Sequence, residues 1–433
     1  MSLYWGDLPR FPVLCGFHHP SSTSSSIGEG QTSSVLMGCV VLTPIPNFLL
    51  GLGQSFCHGW VEPNFSLEIV LQLTHTLYAT KPREGNDIIQ GNLGNDVIYG
   101  DQGDDVIQGN EGNDQLFGGE GDDVIQGGAG NDRIWGDSGN DVLQGGAGHD
   151  TFRDSAGVNY FDGGEGRDTV DFQNLINSGI KLNLAEGTGS YTDEQDQEVA
   201  QTLISIEKAV GTNFNDELIG NEANNSFSGL DGDDKYVGGA GNDIFRDSAG
   251  VNYFDGGEGF DTVNFQDLIN SGIKLNLAEG TGSYTDEQDQ EVAQTLISIE
   301  RVFGTNFNDE LIGNEAHNTF FGLDGDDTIT GGAGNDVIKT GDGNNTIDSG
   351  SGVDTIELGN GNNTIALEEG EGHDKVINFQ LGLTRFGVSD ANTLTFEQSN
   401  GSVNIIAADG DLLANVKGVE VSTFTDNLSS IFF

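Results

Sequence analysis

Between Gly118 and Gln144 the chain reads as three nine-residue units, GGEGDDVIQ, GGAGNDRIW and GDSGNDVLQ. Each has glycine at positions one and four, aspartate at six and a large apolar residue at eight. The frame runs unbroken from Pro82 to Asp171 and resumes at Gly211–Asn264 and Gly304–Ala366. After a two-residue slip it gives one more unit, Glu369–Ile377. Position six carries Asp87, Asp96, Asp105, Asp114, Asp123, Asp132, Asp141, Asp150, Asp168, Asp216, Asp234, Asp243, Asp261, Asp309, Asp327, Asp336, Asp354 and Asp374. Carboxylates returning at one phase, with no sulfur or imidazole at a matching phase, are hard oxygen ligands, and hard oxygen ligands select calcium.

Those carboxylates need elements to hold them. A glycine pair around a variable residue lets the chain turn tightly and expose carbonyl oxygens. The next three residues, such as Val124, Ile125 and Gln126, make a short strand whose middle side chain points inward. Turn, strand, turn, strand closes one flat coil of 18 residues, and repeats n and n+2 stack on the same edge about 4.8 Å apart. Asp87 then lies over Asp105, Asp105 over Asp123 and Asp123 over Asp141. Asp96, Asp114, Asp132 and Asp150 stack on the other edge. Two unit charges about 5 Å apart repel by roughly 1 kcal/mol in water and about 3 at an effective dielectric of 20. The spacing therefore predicts a cation between stacked turns, held by turn carbonyls and two aspartates, while the aliphatic at position eight fills the roll.

The composition agrees. The formal charge is −53, with 67 glycines and 7 prolines in 433 residues. That balance argues against nucleic acid and anionic membrane surfaces as partners, and it suits cations. Low-complexity disorder would not keep an apolar residue in phase from Ile89 to Val170. Residues 1–80 differ from the rest. They hold all three cysteines (Cys15, Cys39 and Cys57) and six of the seven prolines. The apolar run Val35–Gly53 is broken by Pro44 and Pro46, too broken for a membrane-spanning helix. Residues 1–81 are read as a loosely ordered leader, or as the product of a start codon placed too far upstream.

A second period overlies the first. Phe152–Gly166 is identical to Phe245–Gly259, and Leu175–Glu207 to Leu268–Glu300, an offset of 93 residues. The domains expected are a first nonapeptide roll (82–171), a β-rich insert (172–210), a second block (211–264), a second insert (265–303), a third block (304–377) and a C-terminal cap (378–433). In each insert "IKLNLA" and "TLISIE" alternate as strands, and "DEQDQE" between them reads as a solvated hairpin tip. In the cap, Asn400–Gly401 is a strong hairpin signal.

The units resemble the repeats-in-toxin (haemolysin-type) calcium-binding nonapeptide family, a repeat type with a recognised calcium-binding sequence signature. The resemblance covers roughly 82–377. It implies an all-β, calcium-filled parallel β-roll solenoid, export by type I machinery through a C-terminal signal, and folding outside the cell. The stretch Asp426–Phe433, an acid followed by an apolar terminus, has the character of such a signal; the competing reading makes "SSIFF" the last strand of the cap. Asn159, Asn225, Asn252, Asn318, Asn345 and Asn363 depart from the pattern at position six, and Phe214, Ala223, Phe307 and Ala316 at position four; these are expected to be weak or empty sites. No HExxH, GxSxG or glycine-rich phosphate loop occurs, and His18–His19 has no matching acid nearby. The expected protein is therefore not an enzyme. It is a secreted calcium-binding β-roll, structural or adhesive at the cell surface, with calcium ions, type I export machinery and surface polysaccharide or other cell-surface molecules as partners. No nucleic-acid partner and no membrane span are expected. The alternative is a carrier or secretion module detached from an enzyme or toxin.

Overall fold

The structure, a computed structural model, describes residues 68–69, 78–80, 85–153, 156–175, 177–246, 249–268, 271–367 and 372–433. The expectations about the cysteines, Val35–Gly53 and His18–His19 lie outside these residues. All described residues belong to one compact unit within Val61–Phe433.

Strand alternation sets the interior. Positions seven and nine face outward and position eight faces inward, so Ile89, Ile98, Ile107, Leu116, Ile125, Ile134, Leu143 and Phe152 are all at most 2% exposed. Stacking is parallel at a spacing of 18 residues. On one face Ile89 pairs with Ile107, Ile107 with Ile125, and Ile125 with Leu143. On the other, Ile98, Leu116, Ile134 and Phe152 follow one another in the same way. Two columns of apolar side chains thus fill a parallel, all-β solenoid. In the first block most strands are longer than the three residues expected. Val124–Ala129 continues through the glycine pair, because Gly128 still pairs with Gly146 across the coil. The third block keeps three-residue strands, such as Thr328–Thr330.

Backbone pairing also starts upstream of the nonapeptide frame. Glu68–Ile69 pairs in parallel with Ile88–Ile89, and Tyr78–Thr80 with Val97–Ile98. Residues read as leader therefore contribute ladder strands. A scan for aspartate turns does not find them, since main-chain pairing needs no aspartate.

Each insert is a three-stranded antiparallel unit on one face. Glu198–Ile204 lies parallel to Tyr160–Gly166, then pairs antiparallel with Thr188–Thr192, which pairs with Ile180–Asn183. Ile180–Asn183 passes the ladder on to Glu217–Ile219. On the opposite face Thr169–Asp171 pairs directly with Lys208–Val210, so that side gains no strand. The second insert repeats this with Ile273–Asn276, Thr281–Thr285 and Glu291–Ile297. The acidic stretch at 193–198 is an exposed turn in which Asp193 Oδ1 accepts from the backbone N–H groups of Gln195 and Gln197.

At the C-terminal end, Thr395–Ser399 and Ser402–Ile406 form a hairpin around Asn400 and Gly401, both at positive φ. Leu412–Lys417 joins that hairpin to Asp374–Ile377 on one face of the roll, while on the other face Thr384–Gly387 continues the parallel ladder from Asn363–Ala366. The terminal "SSIFF" is not a strand. Leu428–Ile431 is a short helix, and Phe432 makes a single bridge to Phe386. The reason is packing: Phe424, Ile431 and Phe432 are buried, with the Phe396 ring 5.4 Å from Phe424 and Phe386 5.7 Å from Phe432.

Candidate metal centre in the aspartate turns

The turn Gly118–Asp123 illustrates the site. Gly119 and Gly121 sit at φ +119° and +134°, where a side chain is strained. Gly118 is there for room instead. A Cβ on it would collide with Oδ2 of Asp123 and lie 2.8 Å from the carbonyl oxygen of Gly136, one coil on. Asp123 itself is 1% exposed. Its two oxygens have different roles. Oδ1 accepts from the backbone N–H of Asp105 at 2.8 Å. Oδ2 points into the cradle beside Gly118 and has no hydrogen-bond partner.

This arrangement repeats. Along the first block the backbone N–H of a sixth-position aspartate donates to the carboxylate one coil later, as in Asp114 to Asp132 and Asp132 to Asp150, both 2.8 Å. The second oxygen is buried and without a partner at Asp105, Asp114, Asp123, Asp132, Asp141, Asp150, Asp168, Asp243, Asp261, Asp327, Asp336 and Asp354. Asp87 and Asp96, in the first coil, are buried too, and their N–H groups donate to Asp105 and Asp114.

Burial rather than mutual repulsion dominates the electrostatics. Asp123 and Asp327 are pushed up to about 7, chiefly by burial, with the backbone N–H opposing and neighbouring carboxylates adding to the rise. Asp105, Asp114, Asp132, Asp141, Asp150, Asp243 and Asp336 reach about 6 for the same leading reason. The stacked carboxylates are separated by a donated N–H, which softens the repulsion expected from the spacing alone.

Four predicted aspartates are placed differently. Asp216 accepts from the backbone of Ile180 and from both the N–H and the hydroxyl of Thr212. Asp309 is held in the same way by Ile273 and Thr305. The Tyr236 hydroxyl donates to Asp234 Oδ2 at 3.3 Å, and the Ser349 hydroxyl to Asp374 Oδ1 at 2.8 Å. In these turns a side-chain hydroxyl adds a donor to the carboxylate, whereas Oδ2 of Asp105 or Asp123 has none.

Two functional positions were missed. Glu207 Oε2 accepts from the backbone N–H of Asp168, and Glu300 Oε2 from that of Asp261, each at 2.8 Å. Both continue the aspartate ladder through the inserts. Counting the frame back from Gly211 puts Glu207 at position six and Ala209 at position eight, so the signal was present under an altered residue type. In the same coils the carbonyls of Ser205 and Ser298 approach Gly163 and Gly256, where a glycine carbonyl approaches elsewhere.

Among the described residues no three His, Cys, Asp or Glu side chains converge as a metal-binding group. Beside Gly100, Gly109, Gly118 and Gly127 the nearest oxygens come from one aspartate and one main-chain carbonyl, where two aspartates were expected. An orphaned carboxylate oxygen and a carbonyl oxygen facing one buried cradle cannot donate to each other. A hard cation satisfies both, and the all-oxygen set fits calcium.

Fold and turns together define a calcium-binding β-roll. The RTX calcium-binding nonapeptide repeat model matches residues 83–116, 108–143, 135–170, 210–245, 228–263, 303–338 and 330–365. Over this span the chain belongs to the RTX nonapeptide repeat family, whose repeats are structural and bind calcium. A comparison with curated proteins finds no match. Among solved structures the chain is similar to the extracellular lipase LipA from Serratia marcescens, at 20% identity and a TM-score of 0.23, over 48% of this chain and 38% of the lipase. It is also similar to a hyperactive, Ca2+-dependent, β-helical antifreeze protein from an Antarctic bacterium, at 16% identity and a TM-score of 0.21, over 73% of this chain and 86% of that one. The chain thus spans well under half of the lipase. Among the described residues no helix is long and apolar enough to cross a membrane.

Proposed function

We propose that the protein is exported unfolded and folds around several calcium ions outside the cell, where it serves as a structural or adhesive element of the cell surface. The orphaned sixth-position carboxylates, Asp105 to Asp354, are the ligands we assign, each with carbonyls of the adjoining turns. The observation that carries the reading is the paired role of each carboxylate. One oxygen is committed to the coil ladder and the other faces a buried cradle without a protein donor. In a medium with little free calcium the cradles hold uncompensated buried charge, which opposes folding. Calcium above the affinity of the cradles reverses that balance.

The test is far-UV circular dichroism and hydrodynamic radius of the full chain in chelator and in millimolar calcium. β-structure and compaction on calcium addition are expected, with magnesium a poor substitute because it demands octahedral geometry and dehydrates reluctantly. Spectra indifferent to chelation would overturn the reading. Export by type I machinery is supported by the family and by the character of Asp426–Phe433.

A further inference from the structure

Position six is asparagine in several turns, and the structure gives that substitution a chemical meaning. Asn159, Asn252, Asn345 and Asn363 keep one half of the aspartate's role. Their Oδ1 atoms accept the backbone N–H of the preceding coil, from Asp141, Asp234, Asp327 and Asn345 respectively. The other half is reversed. Where aspartate presents a second oxygen, these residues present an N–H₂ group, and it donates to carbonyls of its own turn. Asn345 Nδ2 reaches the carbonyls of Gly341 and Gly343 at 3.5 and 3.4 Å. Asn363 reaches Gly359 and Gly361, both at 3.4 Å. Asn159 reaches Ala156 and Gly157 at 3.2 and 3.3 Å, and Asn252 the corresponding Ala249 and Gly250. In all four the fourth-position carbonyl is an acceptor.

Position one changes with position six. The orphaned aspartates have glycine five residues earlier, except Asp354, which has Ser349. The four asparagines have Asp154, Asp247, Thr340 and Leu358 there. A Cβ at position one fills the space in which Oδ2 and the next coil's carbonyl meet, as at Gly118. In these four turns glycine and aspartate are lost together, as expected if both serve one occupant; Asn225 and Asn318, which keep Gly220 and Gly313 at position one, do not follow that pattern. Where they are lost, an internal donor faces the turn carbonyls.

We propose that these four turns are calcium-free by construction, with the asparagine carboxamide standing in for the ion. This rests on the calcium reading above. It divides the roll into calcium-dependent stretches and joints that close without the ion. The joint at Asn159 is also where the first insert attaches. Gln201 Nε2 donates to the Gly157 carbonyl at 2.7 Å, Gln201 Oε1 accepts from Asn159 N–H at 3.1 Å, and the Tyr191 hydroxyl accepts from Gly157 N–H at 2.9 Å. Gln294 and Tyr284 repeat these contacts at Asn252. Protein donors thus meet main-chain oxygen at each insert joint. Asn318 lies outside the proposal: its turn has Ala316 at position four, and its amide nitrogen has no acceptor among the described residues.

The test counts ions. Calcium bound per full-length chain is measured by native mass spectrometry and by equilibrium dialysis, for wild type, Asp123→Asn, Asp123→Ala and the double variant Thr340→Gly/Asn345→Asp. Asp123→Asn is expected to bind one calcium fewer and, at saturating calcium, to melt above Asp123→Ala. The double variant is expected to bind one more. A count unchanged from wild type in either Asp123→Asn or the double variant overturns the proposal. A wild-type chain that binds no calcium overturns the calcium reading itself, and that result is seen before any variant is compared.

Discussion

The backbone N–H of Asp105 donates to Oδ1 of Asp123 at 2.8 Å, one coil away, while Oδ2 of Asp123 is buried without a donor. A single carboxylate is thus half structural and half available, and its ordinary acidity is lost to burial. The pH dependence follows. Asp123 and Asp327 stand near 7 in the fold, and Asp114 and Asp132 near 6. Unfolded aspartate titrates at about 3.9. Raised values mean that the folded chain holds more protons than the unfolded chain between these limits. Their contribution to stability is complete below about pH 4 and is lost as pH rises through 6 to 7. In chelator, dichroism should therefore show more β-structure at about pH 4.5 than at about pH 8. Calcium should remove most of that dependence, with protons released on binding. Apo β-content that rises with pH would contradict the assignment.

Gly118→Ala tests the cradle by shape alone. The added methyl meets Asp123 Oδ2 and sits 2.8 Å from the Gly136 carbonyl. Weaker calcium binding and one ion fewer are expected. Gly85 has nothing within 4 Å of an added Cβ, although its φ of +134° carries strain. Gly85→Ala should therefore lower stability without lowering the ion count, read by titration beside a thermal melt.

Ile125 and Val124 are adjacent and face opposite ways, 0% and 41% exposed. Ile125→Ala should cost about 2–5 kcal/mol at saturating calcium, since the narrow roll has little with which to refill the gap. Val124→Ala should stay within about 0.5 kcal/mol. Denaturant melts of the calcium-bound chain decide this, and equal costs would mean that the register is wrong.

Asp216 is already satisfied by Ile180 and Thr212. Asp216→Ala should leave the calcium count at its wild-type value while lowering the melting temperature. A lost ion would place calcium in a turn that the hydrogen bonds fill.

The chain end separates export from folding. Phe424 is buried against Phe396 and Phe432. Phe424→Ala should cost about 3–5 kcal/mol in the folded protein. Because the proposed export precedes folding, it should still reach the medium of a cell with a type I exporter. Deleting residues 426–433 should hold the chain inside. Undiminished secretion of the deletion would remove the C-terminal signal.

Periodicity alone determined much of this protein. An aliphatic every nine residues has one solution in which every copy is buried, and the 18-residue pairing of Ile89, Ile107 and Ile125 is that solution. The residue type at position six, acidic and without sulfur, determined the class of ion. Tertiary structure decided which carboxylates keep a buried oxygen without a donor. Asp123 and Asp216 share a phase, yet Asp123 Oδ2 meets no donor, while Asp216 accepts from Thr212 in its own turn and from Ile180 in the insert. Glu207 was hidden because its side chain is longer than the motif's aspartate, and only the stacked Asp168 N–H reveals that it does the same work. The stretch Leu428–Ile431, a strand in the competing reading, folds as a short helix that brings Phe432 to its bridge with Phe386, because the aromatic cluster of the cap outweighs local preference there. The Asp168–Glu207 hydrogen bond and the packing of Phe396 on Phe424 join residues far apart in the chain, and no nine-residue window contains them.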